Sequence, residues 1–435
     1  MNGTLPEAFA NRMRQQLGDE LPAFLHTLEE APVRGIRLNP MKQTEAVKRY
    51  LGAGRIPWTD DGYYLENGSD AGNSILHEAG AFYIQEPGAM IPAAVLNARP
   101  GEIILDLCAA PGGKSTQIGC AMRGEGLLVC NEPVPKRAQI LSGNIERMGI
   151  PNTVVTCAWP EKLAEKWPEG FDAVLVDAPC SGEGMFRRDP ATRGEWTAEK
   201  ADGCAARQKE ILAAAARLVR PGGRLVYSTC TYNPAENEEN ARWFTEQFPE
   251  FQPEAFALPG IDAPAGMFTC YPHRMMGEGQ FAALLRKSGK GTACLPGDQS
   301  LPGPGKEAAK AFSAAFPFLP GPTHLFGDTL VHLSAAPDLN GIRVFRAGLH
   351  LGEIRGKIAV PDHAAAVAFP QQNVQSVDLK PEEAVRYMAG ETLPCDIAGW
   401  TLIRYRGLAL GWGKGSEGVI KNHYPKGLRK SRLVP

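Results

Sequence analysis

Residues 103–115 read Ile-Ile-Leu-Asp-Leu-Cys-Ala-Ala-Pro-Gly-Gly-Lys-Ser, an apolar run that breaks at a proline and two glycines before a helix-compatible stretch begins. The run predicts a strand over 103–107 and a helix over 115–123. The alternation continues to residue 287. Strands are expected at 126–130, 153–157, 171–176 and 224–228, helices at 135–148 and 200–219, and a last strand near the sheet edge at 280–287. Strands alternating with helices of this length imply a parallel sheet covered on both faces, a doubly wound α/β domain.

The chain of 435 residues is too long for one ordinary core, so two or three domains are expected. A Gly/Pro-rich stretch over 288–305 cannot hold a regular element and reads as a linker. It separates an α/β catalytic domain, 79–287, from a C-terminal α+β region, 306–435, where a helix is expected over 306–316 and strands over 341–346 and 400–404. Residues 1–78, with an amphipathic opening and the cations Arg34, Arg37, Lys42, Lys48, Arg49 and Arg55, form a small N-terminal accessory domain suited to RNA.

Composition is that of a soluble globular protein, 43% hydrophobic and 22% charged, with a mean hydropathy of -0.23. No apolar run reaches membrane-spanning length and the N-terminal stretch lacks the apolar core of a signal peptide, so a cytoplasmic location is the default expectation, with no membrane partner. The ten cysteines form no C-x-x-C pair and the eight histidines do not cluster, which argues for reduced thiols and no metal. The net charge of -2 conceals an uneven distribution: residues 401–435 carry eight Lys and Arg against the single Glu417, a local charge of +7. Trp412, His423 and Tyr424 lie among these cations and suggest a surface for phosphates and bases.

Gly113-Lys114-Ser115 raises the possibility of a phosphate-binding loop, but that motif needs a glycine at 108, where Cys108 stands. A nucleoside cofactor fits better. In a doubly wound fold the ligand lies beyond the strand ends, a glycine turn admits it, and an acid after the second strand holds the ribose. Glu132, 19 positions after Gly113, has that spacing. The alternative is a plain tight turn, with Glu132 capping the next helix. The absence of G-x-G-x-x-G argues against NAD and favours S-adenosylmethionine.

Two cysteines, Cys180 in Asp-Ala-Pro-Cys-Ser-Gly and Cys230 in Ser-Thr-Cys-Thr, close two further predicted strands. Carbon 5 of cytosine is too weak a nucleophile to accept a methyl group unaided; a thiolate adding to carbon 6 activates it, and the carbon 5 proton must then leave. One nucleophilic cysteine, one proton relay and an acid holding the base suit this chemistry. Cys180, Cys230 and Asp177 are candidates for the three roles, with small buried packing residues as the other reading of the cysteines.

The stretches Asp106-Leu-Cys-Ala-Ala-Pro-Gly-Gly-Lys-Ser, Val176-Asp-Ala-Pro-Cys-Ser-Gly-Glu-Gly and Tyr227-Ser-Thr-Cys-Thr-Tyr-Asn-Pro-Ala-Glu-Asn resemble the motifs of the NOL1/NOP2/Sun family of RNA cytosine-5 methyltransferases. With residues 80–90 and the Gly/Lys-rich stretch from Gly411 to Arg429, the chain is similar over nearly its whole length to the bacterial RsmF branch. The resemblance implies a Rossmann-like, S-adenosylmethionine-dependent methyltransferase core, a PUA-like RNA-binding module at the end, and small-subunit ribosomal RNA as partner, with the protein acting as a monomer. It implies that Cys230 attacks and Cys180 assists release. Cys108, Ala109, Ala110, Pro111, Gly112, Gly113, Lys114 and Glu132 would line the cofactor site, with Asp177 between cofactor and cytosine. Transfer RNA or DNA as substrate, and a non-catalytic assembly factor, are the alternatives. Where some relatives carry an acid near the adenine, this chain has Trp159, which either stacks on the adenine or covers the sheet. Two further expectations concern the loops. Arg187, Arg188 and Arg193 would meet phosphates, and Asn233-Pro-Ala-Glu236 would open a helix as cap, first turn and capping glutamate.

Overall fold

The computed structural model describes residues 4–42, 44–297, 301–368 and 374–435. At its centre is a nine-stranded sheet. In chain order its strands are β1 (Ile103–Asp106), β2 (Leu127–Asn131), β3 (Thr153–Cys157), β4 (Phe171–Asp177), β5 (Val219–Thr229), β6 (Phe251–Pro253), β7 (Met267–Cys270), β8 (Gln280–Lys287) and β9 (Arg343–Ala347). Spatially they run β7-β8-β5-β4-β1-β2-β3-β9, with β6 also on β8. Strands β1 to β5 pair in parallel, while β7, β8 and β9 are antiparallel.

Both faces of the parallel strands are buried, which explains their unbroken apolar runs. Leu105, Val129, Val154, Val174 and Val176 face one side and pack with Leu212 and Ala215 of the helix Ala198–Leu218. Ile104, Leu128, Val155 and Leu175 face the other, against Ile118, Leu141 and Ile145 of the helices Gly113–Met122 and Pro135–Met148. The second of these helices opens with proline and stops at Gly149, whose φ of 73° is the left-handed conformation that ends a helix.

Two strands depart from the sequence reading. β8 lies inside the sheet rather than near its edge, because the chain over 251–270 folds back and supplies β6 and β7 as its further neighbours. β9 comes from beyond the linker and extends the catalytic sheet along β3. The linker itself is irregular but docked: Leu325 N donates to Pro302 O at 2.7 Å and Asp338 N to Pro296 O at 2.9 Å; positions 298–300 of it lie outside the described residues.

The N-terminal segment splits its packing. Helices Glu7–Leu17 and Leu21–Thr27 place Phe9, Met13 and Phe24 against Phe186, Trp196 and Tyr232 of the catalytic loops. The three-stranded sheet Arg34–Leu38, Gly62–Leu65 and Phe82–Ile84 shares a core with Tyr387, Ile403 and Tyr424 of the C-terminal region. Not all the cations of this segment are available to RNA. Arg37 is fully buried, donating to Thr116 Oγ1 at 2.7 Å and Gln85 Oε1 at 3.2 Å, and Lys42 donates to the carbonyls of Ala79 and Arg147.

Past the linker, the helix Lys306–Ala315 precedes a four-stranded sheet, and a five-stranded sheet follows that includes Gly399–Tyr405, Leu408–Ser416 and Val419–Asn422. No helix of the described residues is long and apolar enough to cross a membrane.

Candidate active site

The C-terminal ends of β1, β4 and β5 deliver three loops to one side of the sheet, as a doubly wound topology requires. Here lies a cavity of about 600 Å³ lined by Cys108, Ala109, Ala110, Pro111, Gly113, Lys114 and Asp177 among others. Its opposite wall comes from the N-terminal region, including Tyr83, Gln85, Glu86 and Ala89, and its rim from Met185, Arg188 and Asp189. The turn that admits a ligand is made by Gly112, whose φ of 113° a side chain would strain. Gly112 and Glu132 do not line the cavity.

The polar floor is tightly wired. Lys114 Nζ donates to Asp177 Oδ2 at 2.8 Å, and Ser228 Oγ donates to Asp177 Oδ1 at 3.1 Å. Gln280 Nε2 in turn donates to Ser228 Oγ at 2.5 Å, so the Asp177 carboxylate is held from two sides. Burial works against the Lys114 charge, but the adjacent carboxylate outweighs it and the ammonium's pKa is raised. Asp106, fully buried beside them, accepts from Ser115 Oγ at 2.6 Å through Oδ2, while its Oδ1 has no partner. Burial pushes its carboxyl up to about 7. An orphaned carboxylate oxygen on a cavity wall is suited to a cationic group, such as the ammonium of an amino-acid-bearing nucleoside. Asp106 was quoted within its motif without a role; only burial marks it out.

The thiols of Cys180 and Cys230 meet, Sγ to Sγ at 3.2 Å, and the Cys230 amide donates to Cys180 Sγ at 3.3 Å. Parallel pairing of β4 with β5 brings the two strand ends side by side. The hydrogen bond with Cys230, together with burial, pushes the Cys180 thiol well up, so it carries its proton at neutral pH.

Glu236 is not the capping residue the sequence suggested. Residues 233–237 form a turn and the helix begins later, as Glu238–Gln247. The buried Glu236 carboxylate instead accepts from Ser181 N at 2.9 Å, Ser181 Oγ at 2.5 Å and Gln208 Nε2 at 3.0 Å. It thereby ties the Cys180 loop to the segment that follows Cys230. A second clamp comes from buried Glu183, which accepts from Trp196 Nε1 at 3.0 Å and Tyr232 N at 3.2 Å and pairs with Arg12 at 2.6 Å.

The loop arginines divide. Arg187 is buried against Glu278 at 2.9 Å, and buried Arg193 donates to the carbonyls of Phe186 and Leu28. Neither is available to RNA phosphate. Arg188 is exposed at the cavity rim and has no hydrogen bond or ion pair among the described residues. Glu132 accepts from Val134 N at 2.9 Å at the start of its helix and pairs with Arg137 at 3.1 Å. Arg137 also donates to Ala110 O at 2.9 Å, which joins this acid to the glycine turn. Trp159 is 68% exposed and therefore does not cover the sheet.

Comparison with known proteins agrees with this geometry. Residues 93–286 match the family model described as 16S rRNA methyltransferase RsmB/F. Residues 5–87 match the N-terminal domain of 16S rRNA methyltransferase RsmF, 309–369 its first C-terminal domain, and 374–430 its PUA domain. The chain is 32% identical to ribosomal RNA small subunit methyltransferase F of Escherichia fergusonii, over 97% of this chain and 96% of that protein. It is 33% identical to the protein of the same name from Salmonella arizonae, with the same coverage. Among solved structures, a methyltransferase homolog from Pyrococcus horikoshii has a TM-score of 0.56 at 30% identity, covering 65% of this chain and 95% of that one. NSun6 from the same organism has a TM-score of 0.58 at 22% identity, covering 66% and 99%, and so shares the fold. With relatives matched along almost their entire length and family models from the N-terminal helices to the PUA domain, the chain belongs to the ribosomal RNA small subunit methyltransferase F family and is an RNA methyltransferase.

Proposed function

We propose that this enzyme methylates carbon 5 of a cytosine in small-subunit ribosomal RNA through a covalent bond between Cys230 and carbon 6 of the base. The observation that carries this reading is the 3.2 Å approach of the Cys180 and Cys230 thiols at adjacent strand ends, next to a carboxylate fixed by Lys114 and Ser228.

S-adenosylmethionine, the methyl donor, supplies an electrophilic methyl group on its sulfonium sulfur. The turn from Cys108 to Lys114 and the unpartnered Asp106 Oδ1 suit this group, with Glu132 beyond the turn as the acid for its ribose. Cys230 Sγ adds to carbon 6, and the electron density displaced onto carbon 5 makes that atom the nucleophile. Asp177 holds the polar edge of the cytosine, its carboxylate oriented by Lys114 and Ser228. Cys180 then relays the carbon 5 proton. As that proton leaves, the carbon 5–carbon 6 double bond reforms and Cys230 departs as thiolate. A protonated thiol within hydrogen-bond reach also steadies the departing thiolate. The target base must leave its helix or come from an unpaired region to reach the cavity floor, and Arg188 at the rim meets the flanking phosphate.

Denaturing gel electrophoresis after incubation with S-adenosylmethionine and small-subunit ribosomal RNA tests the roles of the two cysteines. Cys180→Ala should accumulate a slowly migrating protein–RNA adduct, while Cys230→Ala should neither shift nor methylate. The reverse pattern exchanges the two roles, and methyl transfer by Cys230→Ala at the wild-type rate overturns the covalent reading.

A further inference from the structure

The cations and aromatic residues of the C-terminal region separate once they are placed in the fold. Trp412 and Tyr424 are buried, at 1% and 4% exposure, and pack in the core, contrary to the expectation that they offer surfaces to bases. Lys430 pairs with Glu78 at 2.7 Å and Arg406 Nε donates to Tyr405 Oη at 3.0 Å, so part of the tail's charge is structural. What remains open to solvent lies on one face. On the antiparallel strands Gly399–Tyr405, Leu408–Ser416 and Val419–Asn422, Trp400 stands opposite Lys414, and Lys414 stands opposite Lys421.

Two lysines directly opposite on neighbouring strands repel each other. Neither has an acidic partner among the described residues. An arrangement that is locally unfavourable when free and favourable against phosphate points to a polyanion.

The same face carries flat rings. His423 is exposed, its centroid 4.5 Å from that of Trp400, and neither ring nitrogen has a hydrogen-bond partner among the described residues. Lys414 Nζ lies 5.4 Å from the Trp400 ring. Trp400 continues into Phe316 at 6.4 Å and thence to Phe318 at 6.1 Å, which is 38% exposed. The half-buried Trp400 is thus a buttress between two exposed rings. Burial and the charges of Lys414 and Arg355 push the His423 imidazole down, leaving a neutral ring suited to stacking.

We infer that this face, from Phe318 across Trp400 and His423 to Lys414 and Lys421, holds an unpaired segment of the substrate RNA, with bases stacked on the exposed rings and phosphates on the paired lysines. The inference rests on the reading of the protein as a ribosomal RNA methyltransferase and adds where, and in what form, the RNA is held away from the catalytic cavity. Unpaired RNA is specified because bases within a helix already stack on each other and cannot also cover a protein ring.

The test uses the full-length enzyme, a fluorescein-labelled uridine dodecamer, a duplex of equal length, small-subunit ribosomal RNA and assembled small subunits. Lys414→Gln with Lys421→Gln should weaken dodecamer binding about tenfold and lower the slope of log affinity against log salt by roughly 1.4, about 0.7 for each single-strand phosphate released. His423→Ala should weaken it about fivefold with the slope unchanged, as expected of a stacking contact. Both variants should raise KM for ribosomal RNA and leave kcat at saturating RNA as in the wild type. The proposal fails if dodecamer affinity and slope are unchanged in the double lysine variant, or if dodecamer and duplex lose affinity equally. It also fails if only binding to assembled subunits weakens, which would put a ribosomal protein on this face. None of these outcomes touches the catalytic reading, which fails separately if the wild-type enzyme transfers no methyl group to ribosomal RNA.

Discussion

The loops at the ends of β4 and β5 and the sheet at the C-terminal end were both singled out by chemistry-bearing residues, yet they translate into structure differently. In the loops, the cysteines flagged as reactive do converge, 3.2 Å apart. In the terminal sheet, two of three aromatic residues grouped with the cations, Trp412 and Tyr424, are buried. A strand end in a parallel sheet has a direction that topology dictates, so a residue there has one place to go. A residue inside an antiparallel strand points to either face, and composition does not say which.

This contrast is open to experiment. The largest effect is expected at the strand ends: Cys230→Ala should reduce methyl transfer by at least about three orders of magnitude with unchanged folding, since the reacting bond itself is removed. Stopped-flow or filter-based methyl transfer beside circular dichroism checks it, and residual activity near wild type would break the comparison on its catalytic side.

The terminal sheet should show the opposite pattern. Trp412→Ala should cost about 3–5 kcal/mol in thermal or denaturant unfolding, as for a buried indole, whereas His423→Ala should stay within about 0.5 kcal/mol, as expected of an exposed site. Equal losses would erase the division between buried and presented rings.

Glu236→Gln sharpens the comparison within the loops. Replacing the carboxylate that accepts three hydrogen bonds with an amide that must turn a donor toward Ser181 should lower stability by about 1–3 kcal/mol. It should also lower kcat roughly tenfold to a hundredfold by loosening the Cys180 loop, with KM for S-adenosylmethionine little changed. A change confined to KM would assign Glu236 to the cofactor instead.

The smallest effect concerns pH. The Asp106 carboxyl titrates near 3.8 when exposed and is pushed up to about 7 by burial, so folding favours its protonated form. The associated stability is fully present below about pH 4 and is lost as pH rises through 7, at up to about 1.4 kcal/mol per pH unit. Asp106→Asn should flatten that part of the stability profile of the cofactor-free protein. In the wild type, S-adenosylmethionine affinity should strengthen between pH 6 and 8 as the carboxylate ionises beside the ligand's ammonium; equal pH dependence in both proteins would remove Asp106 from the cofactor site.

Much of the catalytic core was legible in the sequence. The helix Pro135–Met148 and the strands Thr153–Cys157 and Gln280–Lys287 have the bounds their periodicity and flanking residues predicted. Proline at a helix start, glycine at its end and an apolar run between turns are local signals. The candidate cavity followed from the same signals, since the turn 108–114 and Asp177 sit at strand ends.

What was misread depended on partners distant along the chain. Arg37 reads as surface charge until Thr116 and Gln85 enclose it. Arg187 does so until Glu278 meets it, and Glu236 passes for a helix cap until Ser181 and Gln208 turn toward it. Strand β9 looked like part of a separate C-terminal unit until β3 accepted it. The sequence by itself determined the order of strands and helices and the chemistry at their ends, because hydrophobic period and turn residues act over a few neighbours. Only the tertiary structure decided which thiol meets which, which charges are buried and which rings face RNA, because burial and pairing are settled by contacts between segments tens to hundreds of residues apart.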